Sequence, residues 1–195
     1  MLIVCEGRKT EPAYFAGIRK TFRLSNANVA VLPSEYGTDP MSVVTYAEHE
    51  YERNKDYDRV YCVFDRNGHG NFDDAVNRIS RSPLSRRGVL LGAISIPCFE
   101  VWLLLHFVYY TAPFNATGNR SACDRVIAAV RRHVPGYRKG FAGIYVHLEE
   151  RLERAIEHGQ RLMSENQHSG SDNPSTQVHR LVSYLRDLRK GESES

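Results

Sequence analysis

Two acidic residues stand where predicted strands end, and their positions indicate a shared site. Glu6 directly follows the apolar run Met1 to Cys5, and Asp65 directly follows the run Arg59 to Phe64. Ligands of open α/β sheets bind outside the carboxyl ends of the strands, so we predict that these two carboxylates meet at one edge of a sheet. Neighbouring carboxylates repel one another. A hard divalent cation, Mg²⁺ or Mn²⁺, would remove that repulsion, so the pair predicts a metal site.

A third acid, Glu100, lies just past the fourth apolar run, Val89 to Ile96. A single acid at a strand end is more often a helix cap or a surface charge than a site residue. The coincidence of three acids at one predicted edge is what favours a functional interpretation. We predict Glu6, Asp65 and Glu100 as catalytic residues, with Glu6 serving either as a general base or only as a metal ligand.

Basic residues beside these acids offer hydrogen-bond donors for a phosphate. Arg8 and Lys9 follow Glu6 almost directly, and donors so placed stabilise the charge that develops on a transferring phosphoryl group. We predict Lys9 as a catalytic residue and Arg8 as a substrate contact, with a solvated loop as the open alternative. His69, in the loop after Asp65, either contacts metal or substrate or is an ordinary surface histidine.

A second basic stretch lies between Arg120 and Lys139, where six basic residues accompany one acid. The net charge of the whole chain is only +3, so the local surplus says more about partners than the total does. It indicates either a phosphate-facing surface or a solvated helix face. Within this stretch the predicted contacts to a nucleic-acid backbone are Arg131, Arg132, Arg138 and Lys139.

Strand and helix patterns alternate through the first 110 residues, and this alternation predicts how the acids are positioned. Short apolar runs predict strands at 1–5, 28–32, 59–64 and 89–96. Helices are predicted at 10–22, 39–55, 71–80 and 99–110; Thr10 and Asp39 are the expected caps of the first two, each with an early proline. Such alternation predicts an α/β fold with a parallel sheet of about four strands and helices on both faces.

The pattern changes after residue 110. Residues 111–119 read as a loop, and helices are predicted at 120–133, at 141–165 and again after Asn173-Pro174, which is the expected cap of the last helix. We therefore predict an α/β domain over 1–110, a helical extension over 111–190 packed on it, and a disordered tail at 191–195.

Composition excludes several classes of protein. The chain has 195 residues, 42% of them hydrophobic, which suffices for one sizeable core. Its longest apolar run, Val101 to Tyr110, is too short for a membrane span. The four cysteines form no C-x-x-C pair, which argues against a zinc site or a disulfide framework and fits the reducing cytoplasm. We interpret the first apolar run as a strand and not a signal peptide.

Four stretches of the chain resemble the RloB-like proteins in sequence and in order. The first is IVCEGRKTEPAYF at 3–15, and the third is PCFEVWLLLHF at 97–107; both are long and specific. The second is YDRVYCVFD at 57–65, and the last is NPSTQV at 173–178. The resemblance therefore spans nearly the whole chain.

RloB-like proteins are similar to the Toprim superfamily, and this similarity implies a fold and a site. The Toprim signature is a Glu after the first strand and an Asp-x-Asp after a later one, which together bind Mg²⁺. By resemblance, Glu6 is the first acid and Asp65 the second, while Asn67 stands where the last Asp is expected. Asn offers a carbonyl oxygen without charge, so Asn67 is a weaker predicted ligand and we expect one metal instead of two.

The resemblance implies a Mg²⁺-dependent nuclease acting on RNA or DNA in bacterial anti-phage defence. A companion defence ATPase or a restriction system is the partner that it implies. Asn67 motivates the main alternative, a catalytically degenerate module that binds nucleic acid or protein and acts with a partner. A weaker alternative is a nucleotide-responsive effector, which Gly7 near a helix start permits but which no P-loop supports.

Overall fold

The apolar runs of the first half form a parallel four-stranded sheet, which confirms the predicted α/β fold and matches a Toprim-like layout. In this computed structural model the described residues are 1–25, 29–141 and 143–193, with side chains described to residue 189. The strand order is β2-β1-β3-β4 and all three pairings are parallel. The strands are β1 (Leu2–Cys5), β2 (Ala30–Pro33), β3 (Val60–Val63) and β4 (Leu90–Gly92).

Helices cover both faces of this sheet. They are α1 (Thr10–Thr21), α2 (Pro40–Arg53), α3 (Phe72–Arg81), α4 (Pro83–Arg86), α5 (Glu100–Leu105), α6 (Ala122–Arg131), α7 (Leu152–Ser169) and α8 (Val178–Ser193). Side chains alternate along a strand. Leu2 and Val4 therefore join a core with α2 and α3, whereas Ile3 and Cys5 join a larger core with α1 and α5.

The fourth predicted strand is interrupted, and its second half changes partners. Instead of one strand at 89–96, β4 ends at Gly92 and β5 (Ser95–Ile96) begins after two intervening residues. β5 pairs antiparallel with β6 (Ser175–Thr176), a strand that the sequence pattern does not predict. A glycine such as Gly92 weakens the interior of a strand, which fits the end of β4 at this residue. Beyond it, β6 supplies hydrogen-bond partners for backbone groups of β5 that the main sheet does not pair. Ser95 still bridges to Asp65, so β6 supports the segment beside that acid.

Two predicted helices are longer than the observed ones. The helix predicted at 99–110 ends at Leu105, before a run of β-branched and aromatic residues that disfavours helix. The helix predicted at 141–165 starts only at Leu152, after two 3-10 turns, Ile144–His147 and Glu149–Arg151. Gly143, with φ of 75°, is left-handed and prevents a continuous helix through this segment.

The helices of the second half pack on the face that carries α1 and α5. Val126, Leu148, Ile156 and Leu181 belong to the same buried cluster as Ile3. α8 runs to Ser193, three residues into the stretch predicted as a disordered tail, and residues 194–195 lie outside the described residues. None of the helices in the described part of the chain is long and apolar enough to cross a membrane. All four cysteines are free and buried.

Two predicted caps have different roles in the structure. Asp39 caps α2 as predicted, accepting a hydrogen bond from the Ser42 N–H at 3.1 Å. Asn173 does not cap the last helix; its amide exchanges two hydrogen bonds with the backbone of Phe114, at 2.9 and 3.2 Å. Thr10 does not cap α1 either, and its hydroxyl is used at the site described next.

Candidate active site

The carboxylates of Glu6 and Asp65 lie side by side at the carboxyl edge of the sheet. β1 and β3 are neighbours in register, with Cys5 opposite Val63, so the acids that follow these strands emerge together. The Asp65 N–H donates a hydrogen bond to Glu6 Oε2 at 2.9 Å. Glu6 is 8% exposed and Asp65 is 6% exposed, so both carboxylates are largely removed from water.

Glu100 opens α5 at the same edge and is 1% exposed. The N–H of the preceding residue, Phe99, donates to Asp65 Oδ2 at 3.3 Å, which ties the start of α5 to Asp65. Within the described residues, Asp65 Oδ1 and Glu100 Oε2 are buried oxygens without a hydrogen-bond partner. A buried carboxylate oxygen that lacks a partner is costly, so this edge is chemically incomplete without a cation or a proton.

The surroundings of these acids raise their pKa values. Burial raises the pKa of Glu6 from 4.5 to about 7, and the Glu11 carboxylate adds to the effect, although the Asp65 N–H opposes it. Burial also raises the pKa of Asp65, from 3.8 to about 7, and the charges of Glu6 and Glu100 add to the effect. The site therefore resists carrying all of its negative charge unless positive charge is supplied.

A fourth acid, Glu11, belongs to this cluster, although the sequence alone suggests only an acid at the start of a helix. Glu11 has the position of an ordinary first-turn acid in α1. Its carboxylate packs against the backbone of Gly7, where a Cβ would overlap it. Burial raises its pKa from 4.5 to about 7, with further contributions from Glu100 and Asp65. The signal available in the sequence is its place five residues after Glu6, in the first turn of the helix that follows β1.

A turn at residues 137–140, which we call the Lys139 turn, closes over the acids from the second half of the chain. The Tyr137 hydroxyl donates to Glu100 Oε1 at 3.1 Å. The Gly140 N–H donates to Thr10 Oγ1 at 2.8 Å, which is the role that Thr10 has instead of capping α1. The turn therefore places Lys139 beside the acid cluster. The Lys139 side chain is exposed at the rim of the cluster. Loss of part of its hydration disfavours its charge, but Glu100 and Asp65 outweigh this and raise its pKa.

The other predicted basic residues divide into three kinds. Arg131 Nε donates to the Tyr137 carbonyl at 2.7 Å, so this side chain supports the Lys139 turn. Lys9 packs its stem against Gly140, the last residue of that turn, and a Cβ at Gly140 would approach Lys9 Cδ to 2.9 Å. Like Arg131 and Lys9, the three remaining side chains are exposed: Arg8, Arg132 and Arg138.

Asn67 and His69 follow Asp65 but point to different partners. The Asn67 carbonyl oxygen accepts a hydrogen bond from the Cys123 thiol at 2.9 Å, so the predicted metal ligand is engaged outside the acid cluster. Its backbone has φ of 21°, an uncommon value for a non-glycine residue. His69 Nε2 lies 2.8 Å from Glu6 Oε1, which makes His69 the direct neighbour of the first acid.

The model of the RloB-like protein family matches residues 1–185. The chain belongs to the RloB-like protein family. No curated protein and no solved structure matches the sequence. The family match covers the four acids, the Lys139 turn and the β5–β6 pair, so the whole candidate site lies within the matched residues.

The acids of this RloB-like chain suit a hard divalent cation in kind but are not arranged as a finished metal centre. Mg²⁺ prefers carboxylate oxygens and needs only one or two of them because it keeps several waters. The two unpartnered oxygens, Asp65 Oδ1 and Glu100 Oε2, are donors of this kind. Across 1–25, 29–141 and 143–193, no three or more His, Cys, Asp or Glu side chains form a group that could hold a metal ion as placed.

Proposed function

We propose that this chain is a Toprim-type, divalent-metal-dependent phosphodiesterase that cleaves RNA or DNA in bacterial anti-phage defence. The observation that carries the proposal is the pair of buried, unpartnered carboxylate oxygens on Asp65 and Glu100, beside Glu6 at the carboxyl edge of a parallel sheet. A nearby positive charge would stabilise buried carboxylate oxygens of this kind. Mg²⁺ and Mn²⁺ would supply that charge, and carboxylate oxygens are ligands that both ions prefer. The defence role, and a companion ATPase or restriction system as partner, rest on the family resemblance.

Each acid has a role in this proposal. Asp65, Glu100 and Glu6 would hold the metal, which when bound would polarise a phosphoryl oxygen and lower the pKa of a bound water. Glu6, with a pKa of about 7, is suited to take up a proton at Oε1, the oxygen that faces His69. Burial of the acids excludes bulk water from the reacting atoms and strengthens the electrostatic interactions among them.

Cations at the rim of the site support a nucleic-acid substrate. Lys9 precedes Thr10 and Lys139 precedes Gly140, so the contact between Thr10 and Gly140 brings the two lysines to the same rim of the site. The exposed side chains of Arg8 and Arg138 extend this rim from the same two segments. Basic side chains so placed can bind the phosphates on either side of a scissile bond, as backbone contacts that position a strand without reading its sequence.

The test is an assay of cleavage of labelled single-stranded RNA and DNA at about 5 mM Mg²⁺. It compares the wild type with Asp65→Asn and with the matched control Asp56→Asn. Asp56 is exposed and precedes β3, so it lies at the opposite edge of the sheet. Asp65→Asn should lose about 10³-fold or more in rate while keeping a cooperative thermal transition. Cleavage at the wild-type rate in Asp65→Asn would remove the assignment.

A second candidate, a binding module without catalysis, is favoured by one observation. The Asn67 carbonyl accepts from Cys123, so the third residue of the Asp-x-Asp position does not face the acids. Titration of Mn²⁺ into the metal-free protein by calorimetry separates the two functions. Binding with micromolar to millimolar affinity supports the nuclease, whereas no heat at about 10 mM Mn²⁺ supports the binding module.

A further inference from the structure

A cavity of about 440 Å³ lies between α3, the β5–β6 pair and the C-terminal half of α7. Its inner surface, which we call the floor, is apolar and is formed by side chains of these elements, among them Phe72, Val76, Ile96 and Met163. Small-molecule sites have volumes of about 300–1,000 Å³, so the cavity has the size for an organic ligand. An apolar floor offers nothing to a bare ion, so the ligand that fits has a ring or another apolar part.

Side-chain amides stand among the polar groups around this floor. Gln177 Oε1 accepts the Ile94 N–H at 3.4 Å, and the Asn166 amide donates to the Pro174 carbonyl at 2.8 Å. Gln167, one position further along α7, is exposed at the opening of the cavity. An amide carries a donor and an acceptor side by side, as the edge of a nucleobase does. The combination of an apolar floor and amides therefore suits a nucleobase.

The charges at the cavity favour a ligand that is negative. Among the residues that the structure describes, Asp172 and Arg180 are the charged ones that line it, and both are exposed at its opening. Arg66 Nη1 donates to Asp172 Oδ2 at 2.6 Å, so this carboxylate has a partner. None of the ion pairs within 4.0 Å in that part of the chain includes Arg180. The uncompensated charge is a guanidinium, the side-chain group best suited to a phosphate.

The cavity shares a wall with the acid site. The Arg66 N–H, which directly follows Asp65 in the chain, donates to the Ser95 carbonyl at 3.2 Å, and the guanidinium of the same residue holds Asp172. The Ser95 hydroxyl is hydrogen-bonded to the hydroxyl of Thr176, which lines the cavity, at 2.9 Å. A ligand in the cavity therefore lies beside the segment that carries Asp65.

We propose that this cavity is a nucleotide-binding site. The base lies on the apolar floor, Arg180 binds the phosphate, and Asp172 accepts a hydrogen bond from a sugar hydroxyl. The nucleotide is either one unit of a single strand that passes the acids or a free mononucleotide, since both present the same groups. The proposal goes beyond the proposed function because it needs neither a metal ion nor the four acids.

The first test is calorimetric titration of adenosine monophosphate into the protein in a chelator. Arg180→Gln should weaken binding by about tenfold or more because a charged hydrogen bond to phosphate is lost. Met163→Glu, which puts a negative charge on the half-buried floor, should abolish binding. The matched control is Arg154→Gln, an exposed arginine at the other end of α7, which should bind as wild type does. Thermal melts show whether each variant folds, and Arg180→Gln, at an exposed position, serves if Met163→Glu does not.

Inorganic phosphate is the comparison that isolates the base. It should bind at least about tenfold more weakly than adenosine monophosphate, because it leaves the apolar floor empty. Equal affinities would mean that a surface arginine binds any anion, and the inference would be overturned.

The second test separates the two sources of the nucleotide by anisotropy of a labelled single-stranded RNA in the same buffer. If the strand supplies the nucleotide, Met163→Glu weakens strand binding and adenosine monophosphate competes with the strand. If a free nucleotide is the ligand, adenosine monophosphate binds and strand affinity ignores both. Binding of the two probes that is unchanged in Arg180→Gln and Met163→Glu overturns the inference, as does no binding of either probe. Cleavage assayed in Mg²⁺ is a separate measurement, so the proposed function stands or fails independently.

Discussion

At the scale of single residues, the site is defined by carboxylates that are buried before any cation is bound. Glu6, Glu11 and Asp65 each have a pKa near 7, chiefly because burial disfavours the charged form. A carboxylate in ordinary contact with solvent has a pKa near 4. This difference in pKa means that bringing the charged acids together lowers the free energy of unfolding. A bound cation offsets that loss, so stability and metal binding are linked.

The first prediction concerns the pH dependence of stability in the metal-free protein. The pKa values of Glu6 and Asp65 rise on folding from 4.5 and 3.8 to about 7, so between about pH 4 and 7 the folded chain holds more protons than the unfolded chain. The stability that proton binding to these two groups contributes is fully present below about pH 4 and is lost as the pH rises to about 7. For an isolated group the loss is about 1.4 kcal/mol per unit of pKa shift.

Urea denaturation from pH 5 to 8 in a chelator measures this dependence. Asp65→Asn should reduce the slope in this range, and the exposed control Asp56→Asn should reproduce the wild-type curve. Because the Asp65 charge contributes to the raised pKa of Glu11, Asp65→Asn should also lower the pKa of Glu11 and remove more than one group's share of the dependence. A wild-type slope in Asp65→Asn would contradict the raised pKa of Asp65.

The second prediction concerns Gly7, whose missing side chain makes room for Glu11. A Cβ at Gly7 would overlap the Glu11 carboxylate, the flexible end of that side chain, so Gly7→Ala should displace the acid at little cost in stability. Mn²⁺ affinity in calorimetry should then fall, by about tenfold, because one negative charge has left the cluster. The control is Gly70→Ala, where a Cβ meets nothing within 4 Å. Unchanged affinity in Gly7→Ala would exclude Glu11 from the site.

At the scale of elements, the first helix and the Lys139 turn depend on one hydrogen bond between a side chain and a backbone. Thr10 is buried at the start of α1, and its hydroxyl accepts the Gly140 N–H across 130 residues of sequence. This bond holds the turn that carries Lys139 against the helix that carries Glu11. The elements that bring the acids together and the element that brings the lysine are therefore joined at Thr10.

The third prediction follows from this bond. Thr10→Val keeps the shape of the side chain but leaves the Gly140 N–H without its acceptor, which should cost about 1–3 kcal/mol in urea denaturation. Thr111→Val, an exposed threonine in the loop after α5, should change stability by less than about 0.5 kcal/mol. A loss as small in Thr10→Val as in this control would mean that the bond contributes little to holding the turn.

The parts of the structure that could be predicted are those that local pattern determines. Each of the four parallel strands appears where an apolar run stands, and Asp39 caps α2 as its spacing before Pro40 indicates. Periodicity and capping act within a few residues, so one sequence contains the information that specifies them.

The parts that could not be predicted depend on contacts between distant segments. Thr10 and Glu11 have the types expected at a helix start, and only the fold shows that one receives Gly140 and the other joins the acids. The orientation of Asn67 depends on Cys123, 56 residues away. β6 is a strand through its pairing with β5, which lies about 80 residues earlier in the chain. Each of these features is decided by tertiary packing, which overrides local preference.

At the scale of the whole molecule, the two halves of the chain share one core on the α1 and α5 face. Tyr14 and Trp102, from the first half, lie in the same buried cluster as Val126, Tyr145 and Leu181 from the second. Tyr14 makes an edge-to-face contact with Tyr145, with ring centroids 5.4 Å apart. The second half therefore completes the hydrophobic core as well as the candidate site.

The last prediction is that residues 1–110 do not fold by themselves into a cooperative unit. Without the second half, the large apolar side chains of α1 and α5 would face water, and each such side chain gains about 1.5–3 kcal/mol from burial. The fragment should show no sharp thermal transition in circular dichroism and should bind a hydrophobic dye, whereas the full chain should melt cooperatively and bind none. A cooperative melt of the fragment would show that the sheet and its first five helices suffice, and the Lys139 turn would then be an addition to a finished domain and not a part of its core.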